Sequence, residues 1–378
     1  MNDDRVLFRE DAVIRDGWDN ERLQKAFALL DQAIREKTIP GAVAAVGRGD
    51  RTAATYAGGY AVDTPGEQVL MQVNTRFDVA SLTKVCSVLP LMLLLLDDGE
   101  IRLNDPVARF LPSFGEGDRG RITLKHLLTH SSGLPPHRPF YKQRDGQHAD
   151  REAIWGAVLS EPLIHEPGAV VDYSDIGFMT LGKVIEAIAR QTLDQLCNER
   201  IFKPLAMVNA KYCPLHGEGV APFAATEYDE RHGYYLIGEV HDENARAVDG
   251  VSGHAGLFTD VSDLVKYVKM WVRGGIAEDG TTFLSSSAIR LALVNHVDAL
   301  SAARGLGWCL RTDGYDHMGD YWPMSGFGHT GFTGTSLSLD LPSGIWIVLL
   351  TNRVHFGRQV NIARLRATVH NVVMAASS

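Results

Sequence analysis

The chain has 378 residues, with 46 acidic against 37 basic side chains for a formal net charge of −9, and it is 45% hydrophobic and 22% charged. That length holds two domains or one large one, and the acidic balance excludes the basic face that a nucleic-acid partner needs. The longest apolar run, Val88 to Leu96 broken by Pro90, is too short to span a bilayer.

Residues 19 to 37 predict an amphipathic helix: Leu23, Phe27, Leu30 and Ile34 recur at helical spacing behind a capping Asp19 or Asn20. Ile39-Pro40-Gly41 ends it, and two strands follow, Ala42 to Arg48 and Ala53 to Ala57, around a turn at Gly49-Asp50. Ser81 to Asp97 is apolar on nearly all sides, which predicts a buried central helix kinked at Pro90. Further helices are expected at Leu124 to Thr129, around Phe178, Leu181, Ile185 and Ile188, and over Ser262 to Val272 before Gly274-Gly275.

Strand character returns at Leu306 to Arg311, at Ser336 to Leu341 with Leu337, Leu339 and Leu341 on one face, and at the continuous apolar run Ile345 to Leu350. Ile362, Leu365, Val369 and Val372 mark a closing helix. Strands at both ends with helices between them predict an α/β protein of the α+β type: one antiparallel sheet built from both termini, flanked by helices, with an inserted all-helical domain. The expected division is residues 1–78 and 286–378 for the sheet domain and 79–285 for the helical one, with a site at their interface. The polar loops 137–148 and 214–248 are long enough to carry function.

Cys86, Cys197, Cys213 and Cys309 form no CxxC pair and read as free thiols of a reducing compartment. The first 20 residues are polar and lack the apolar core of a secretory signal. The expectation is a cytoplasmic protein, although a chain already trimmed of its signal looks the same.

Three strings carry the chemistry. Ser81-Leu82-Thr83-Lys84 places a serine where strand-like Phe77-Asp78-Val79-Ala80 meets the buried helix, with free N–H groups beside it and Lys84 one turn on. Ser81 needs a base to attack a carbonyl. Lys84 serves if it is neutral, and burial and a nearby cation both lower a lysine pKa. Tyr173-Ser174-Asp175 precedes a helix: Tyr173 can pass a proton to a leaving group, while Ser174 or Asp175 can cap. His329-Thr330-Gly331 lies in the glycine-rich run Gly326 to Gly334, where substrate can approach a strand and a backbone N–H can face an oxyanion. Each string alone is common; their order and context make the case.

Together with Leu103 to Val107, Leu127 to Pro135, Tyr173 to Gly182, Gly253 to Phe258 and Gly328 to Thr335, they resemble the penicillin-recognising serine hydrolases. These are class C β-lactamases, low-molecular-weight D-alanyl-D-alanine carboxypeptidases and carboxylesterases of the same fold. The stretch from Glu239 to Phe258, with Leu350 to His355, is similar to the penicillin-binding-protein-like carboxypeptidases. The resemblance implies a β-lactamase/transpeptidase-like fold. Ser81 would form the acyl-enzyme with Lys84 as base, Tyr173 as acid/base partner, and the backbone N–H groups of Ser81 and Phe332 as oxyanion hole. Asp175 would stand where many relatives have Asn, orienting substrate with Thr330 and Gly331. His329 would replace the usual Lys, as in carboxypeptidases, and bring a group that titrates near neutral pH. Phe332 follows Gly331 where carboxylate-binding relatives often have Ser or Thr, which leaves Thr330 for that task and suits an ester or a bulkier acyl group.

The resulting expectation is a serine hydrolase acting through an acyl-enzyme on a peptide, amide or ester bond, foremost D-alanyl-D-alanine. A carboxylesterase or weak β-lactamase is the alternative, and a non-catalytic β-lactam or muropeptide sensor is the alternative of another class. No cofactor or metal is called for, and the partner is a small-molecule or peptide substrate. His126 and His130 have a zinc-like spacing but lack the Glu of a hydrolytic motif. His241-Asp242-Glu243 could attract a cation or hold a loop, His254 could reach the pocket, and Phe140, Tyr141, Tyr234 and Tyr235 could line a cleft or anchor loops.

Overall fold

The computed structural model describes residues 17–143, 151–214, 222–312 and 317–377. In chain order the strands are β1 (Gly41–Arg48), β2 (Arg51–Asp63), β3 (Gln68–Leu70), β4 (Phe77–Asp78), β5 (Lys211–Tyr212), β6 (Tyr228–Asp229), β7 (Tyr234–Tyr235), β8 (Leu257–Thr259), β9 (Cys309–Leu310), β10 (Phe327–Thr330), β11 (Ser336–Leu339) and β12 (Ile345–Thr351). The α-helices are α1 (Asn20–Arg35), α2 (Leu89–Asp97), α3 (Leu124–Leu128), α4 (Arg151–Ser160), α5 (Asp175–Ala189), α6 (Leu193–Cys197), α7 (Glu243–Ala247), α8 (Val261–Val272), α9 (Ser286–Leu293) and α10 (Ala363–Ala376). Among the described residues no helix is long and apolar enough to cross a membrane.

A seven-stranded sheet runs β3-β2-β1-β12-β11-β10-β9, antiparallel throughout. The two ends of the chain meet at its centre, where Val43 of β1 pairs with Leu350 of β12. The continuous apolar run of β12 has a direct cause: both of its faces are covered. Ile345, Ile347 and Leu349 pack with Leu23, Phe27 and Leu30 of α1 and Val369 and Val373 of α10. Trp346, Val348 and Leu350 point into the larger core, with Leu264 and Trp271 of α8. Each such side chain contributes about 1.5–3 kcal/mol by leaving water. Asp19 caps α1 by accepting from the Arg22 N–H at 3.1 Å.

The insertion read as all-helical is helical in bulk and also carries β5 and β8, which form a small sheet with β4 just ahead of it, and the β6–β7 hairpin. Their strands are too short for periodicity to register. The run from Ser81 to Asp97 is not one kinked helix: a π turn over Lys84–Val88 hands over to α2 at Leu89. Leu89 bonds back to the Lys84 carbonyl, so the wide turn falls directly before Pro90, which has no N–H to give. The strand expected at Leu306–Arg311 shrinks to Cys309–Leu310 because Gly307 turns the chain at φ +72°. β2 extends past Ala57 to Asp63. Of the two long loops, residues 144–148 and 215–221 lie outside the described residues. The remainder of the second loop forms the β6–β7 hairpin and α7.

Candidate active site

Three parts of the chain converge on Ser81. The first is the segment that carries it. Ala80, just before it, has φ +46°, a left-handed conformation that costs an L-residue about 1–2 kcal/mol. Asp78 compensates: its Oδ1 accepts the Ala80 N–H at 2.8 Å and its Oδ2 the His241 N–H at 2.7 Å. Burial raises the Asp78 pKa against the pull of these N–H groups. Leu82, Thr83 and Lys84 spend their N–H groups on the carbonyls three residues back. Among the described residues, the Ser81 N–H donates to no protein acceptor, and neither does that of Phe332.

The second part is the entry to α5. Ser174 caps the helix, accepting from the Gly177 N–H at 3.1 Å, and its hydroxyl donates to the Pro135 carbonyl at 2.7 Å. This fixes Tyr173 and Asp175 on either side. The third part is β10 and its turn. Thr333 Oγ1 donates to the Asp78 carbonyl at 2.7 Å and Thr335 Oγ1 to the Val79 carbonyl at 3.0 Å. Gly331 is required there: a Cβ on it would lie 2.2 Å from Thr335 Oγ1 and 2.3 Å from the Val79 carbonyl oxygen. Gly331→Ala should therefore force the turn away from the Ser81 segment and cost about 1–3 kcal/mol. Thermal melts and activity on the same preparation check this; unchanged values for both would refute the close approach.

At the centre, fully buried Lys84 donates from Nζ to Ser81 Oγ at 3.0 Å, to Asp175 Oδ1 at 2.7 Å and to the His254 carbonyl at 3.1 Å. All three ammonium protons are used. Burial pushes the Lys84 pKa down, but the Asp175 carboxylate and the Tyr173 hydroxyl outweigh it, and the balance lies above the ordinary value of 10.5. The expectation of a lysine with a lowered pKa is thereby corrected: resting Lys84 is an ammonium, because Asp175 is its counter-ion. Ser81 itself is partly exposed, so substrate can reach it.

Tyr173 sits among several rings and cations. Its ring lies 5.9 Å from that of His329 and 4.4 Å from that of His130. Lys84 Nζ is 5.0 Å from the Tyr173 ring centre and the Arg304 guanidinium 5.7 Å. Burial, followed by the charges of Lys84 and Arg304, pushes His329 down to about 3. The expected titration near neutral pH is corrected accordingly: His329 is neutral there. Its Nδ1 lies 2.9 Å from the Thr330 carbonyl, which can only accept, so Nδ1 carries the hydrogen and Nε2 is an acceptor. His130 is the converse. Its Nδ1 accepts the Ser174 N–H at 3.0 Å, leaving the hydrogen on Nε2, which has no partner among the described residues.

Phe332 is 47% exposed. The His241 ring stacks on it at 5.7 Å and the Arg353 guanidinium lies 4.6 Å from its centre. A pocket of about 390 Å³ opens beside Thr330, Gly331 and Phe332. A larger cavity, about 560 Å³, lies by Tyr141, Glu227, Glu239 and Arg246, and none of the residues described above around Ser81 lines it.

Other sequence candidates hold structure together. His126 caps α3 by accepting the Thr123 N–H. Asp242 accepts from His254 Nε2 at 2.8 Å, and Glu243 pairs with Arg358. Phe140 is core, while Tyr235 stacks on His355 at 4.7 Å. His254 reaches the site through its carbonyl rather than its ring. Its Nδ1 meets Ser252 Oγ at 2.8 Å, which completes a Ser252–His254–Asp242 chain, yet Ser252 is only 1% exposed and out of a substrate's reach. Sequence reasoning missed Arg304, which lies just ahead of the Leu306 to Arg311 stretch read for its strand character. It also missed Asp78, whose place three residues before Ser81 was the available signal.

This architecture is that of the β-lactamase fold. The chain belongs to the Beta-lactamase family, whose model matches residues 13–370. An N-acetylmuramyl-L-alanine amidase of Bacillus subtilis (strain 168) is 31% identical over 367 residues, covering 89% of this chain and 82% of that protein. A protein of Escherichia coli (strain K12), provisionally named D-alanyl-D-alanine carboxypeptidase, is 31% identical over 333 residues, covering 79% of this chain and 73% of that protein. The structure of EstCE1, a hydrolase with promiscuous acyltransferase activity, matches with a TM-score of 0.74 at 23% identity, over 94% of this chain and 99% of that one. At that identity the match speaks for the fold.

Proposed function

We propose that this protein is a serine hydrolase that forms an acyl-enzyme on Ser81 and acts on amide bonds of peptidoglycan-derived peptides, foremost the D-alanyl-D-alanine bond. The observation that carries the reading is the 3.0 Å contact of buried Lys84 Nζ with the Oγ of partly exposed Ser81, beside the ion pair that Lys84 makes with the half-buried Asp175. The two relatives named for peptidoglycan substrates support the substrate class.

Resting Lys84 is charged and cannot take the Ser81 proton. Substrate arrival dehydrates the pair and favours its neutral form: Nζ passes a proton to Asp175 Oδ1, and the free amine becomes the base. Ser81 Oγ then attacks the carbonyl carbon while its proton moves to Lys84. The N–H groups of Ser81 and Phe332 stabilise the oxyanion. The tetrahedral intermediate collapses as the C–N bond breaks; the leaving nitrogen takes the Tyr173 proton, which Lys84 replaces. Water attacks the ester by the reverse route and frees Ser81. Neutral His329 offers a lone pair on Nε2, suited to accepting a hydrogen bond from substrate.

The B. subtilis relative favours a second reading, cleavage of the amide between the lactyl group of N-acetylmuramic acid and L-alanine. Muramyl pentapeptide separates the two: free D-alanine supports the first reading and free N-acetylmuramic acid the second. Intact-protein mass with excess benzylpenicillin should show one covalent adduct on wild type. Release of neither product, together with no adduct, would refute the proposal; turnover of short acyl esters alone would reassign the protein as an esterase, and an adduct without any turnover as a sensor.

A further inference from the structure

Of the three acceptors around Lys84 Nζ, Ser81 and Asp175 exchange protons with it in the mechanism proposed above. The third, the His254 carbonyl at 3.1 Å, can only accept a hydrogen bond. After giving a proton to Asp175, Nζ keeps two N–H groups and one lone pair. One N–H stays on the His254 carbonyl, so the amine turns about that bond and its lone pair swings from Asp175 toward Ser81 Oγ. The carbonyl is the pivot of the base, and its own placement has a traceable cause. The loop that carries it is held at both ends. A Cβ on Gly253 would lie 2.1 Å from the Phe178 carbonyl oxygen of α5. The Leu257 N–H donates to Thr83 Oγ1 at 3.2 Å, and the Leu257 carbonyl accepts from the Val79 N–H at 3.0 Å.

Between these anchors the imidazole of His254, only 1% exposed, is the tether. Its Nε2 lies 2.8 Å from Asp242 Oδ1 and its Nδ1 2.8 Å from Ser252 Oγ. Burial pushes the Asp242 pKa up, but the His254 ring and the Ala245 N–H outweigh it and hold the carboxyl well below the usual range. Asp242 is thus a carboxylate, which accepts, and His254 Nε2 carries the hydrogen. An apolar side chain would fill the same space without burying two ring nitrogens; the hydrogen bonds add direction. Asp242 is itself fixed as the cap of α7, accepting the Ala245 N–H at 2.8 Å. We infer that His254 is a positioning residue for the base: its ring, braced by Asp242 and Ser252, aims its own carbonyl at Lys84 Nζ. The tether's effect on rate rests on the reading of Lys84 as the base, and its existence on these contacts alone. The dipeptide His241-Asp242 then steadies both reacting residues, Ser81 through Asp78 and Ala80, and Lys84 through His254.

Two amide side chains separate the contacts of the ring. In His254→Gln the amide nitrogen reaches the place of Nε2 and still donates to Asp242; in His254→Asn it reaches only the place of Nδ1, beside Ser252. Acylation by benzylpenicillin, followed by intact-protein mass over a range of drug concentrations, splits into an affinity and a limiting rate. His254→Asn should lower the limiting rate by about 10–100-fold with the affinity little changed, the cost of a misplacement of about 1 Å. His254→Gln should recover most of that loss at a comparable melting temperature. Equal limiting rates for the two variants overturn the inference. The second readout needs no chemistry. Lysines isotope-labelled at Cε are titrated by NMR, and the Lys84 signal is the one lost in Lys84→Arg. Losing the carbonyl destabilises the ammonium, so His254→Asn should move the Lys84 titration acidward by about 1 pH unit, the scale of one hydrogen bond to a charged group, and His254→Gln should not. A titration unmoved in the Asn variant overturns the inference whether or not Ser81 is acylated. A moved titration in a protein that neither benzylpenicillin nor a short acyl ester acylates would refute the acyl-enzyme reading and support the tether.

Discussion

Ser81→Ala is expected to lower turnover of any substrate by at least about 10⁴-fold, the scale seen when a catalytic serine is removed from its triad, and to abolish the benzylpenicillin adduct in intact-protein mass spectra. The fold should survive. Among the described residues Ser81 Oγ takes part in a single hydrogen bond, as acceptor from Lys84, and the residue is partly exposed; losing that contact costs about 0.5–1.5 kcal/mol. The strain at Ala80 is held by Asp78 and does not depend on the hydroxyl. A melting temperature close to wild type alongside lost turnover would thus separate chemistry from folding. Retained activity would place the nucleophile elsewhere. A candidate among the described residues is Ser252, hydrogen-bonded to His254, which in turn meets the Asp242 carboxylate. Its burial at 1% exposure means that activity routed through it would require an opening of the Gly253–Gly256 loop.

The framework was legible because its signals are periodic. α1, α8, β11 and β12 each repeat apolar residues over enough positions to mark one face or two, and the terminal location of the strands implied a sheet closed by both ends of the chain. Elements of two or three residues, such as β4, β5 and β9, carry no period. β2 runs through Gly58 and Gly59, which interrupt strand patterning although the backbone continues. The site divides in the same way. Ser81 and Lys84 are one turn apart, so their proximity follows from local geometry. The charge of Lys84 does not, because it depends on a 2.7 Å contact with a residue from a different helix. His329 is a neutral acceptor for the same reason: its burial and its two cationic neighbours are assembled from distant segments. Arg304 is an ordinary arginine until the fold lays it against Tyr173.

Asp175→Asn should produce the second large effect, as a change in pH dependence. The wild-type carboxylate raises the Lys84 pKa above 10.5 against a burial term that lowers it. Asparagine keeps an acceptor for Nζ and removes the charge, so burial then dominates and the pKa falls below its ordinary value. An opposite charge at this range is worth about 1–3 pH units. In wild type, the limb of kcat/KM that reports loss of the Lys84 proton should lie above pH 10.5; in the variant that limb should move acidward by about 1–3 units. Stability gives an independent reading. A raised lysine pKa stabilises the fold fully below the unfolded value near 10.5, and the contribution fades as pH climbs through the folded value. The variant lacks it. Its melting temperature should therefore lie below wild type at pH 7, by an amount equivalent to about 1–4 kcal/mol given that a hydrogen-bond acceptor remains. The gap should narrow as the pH rises above the folded-state pKa of the wild-type lysine. Superimposable pH profiles for the two proteins would mean that Asp175 does not set the charge of Lys84, and the proton route through the Lys84–Asp175 pair would fall with it.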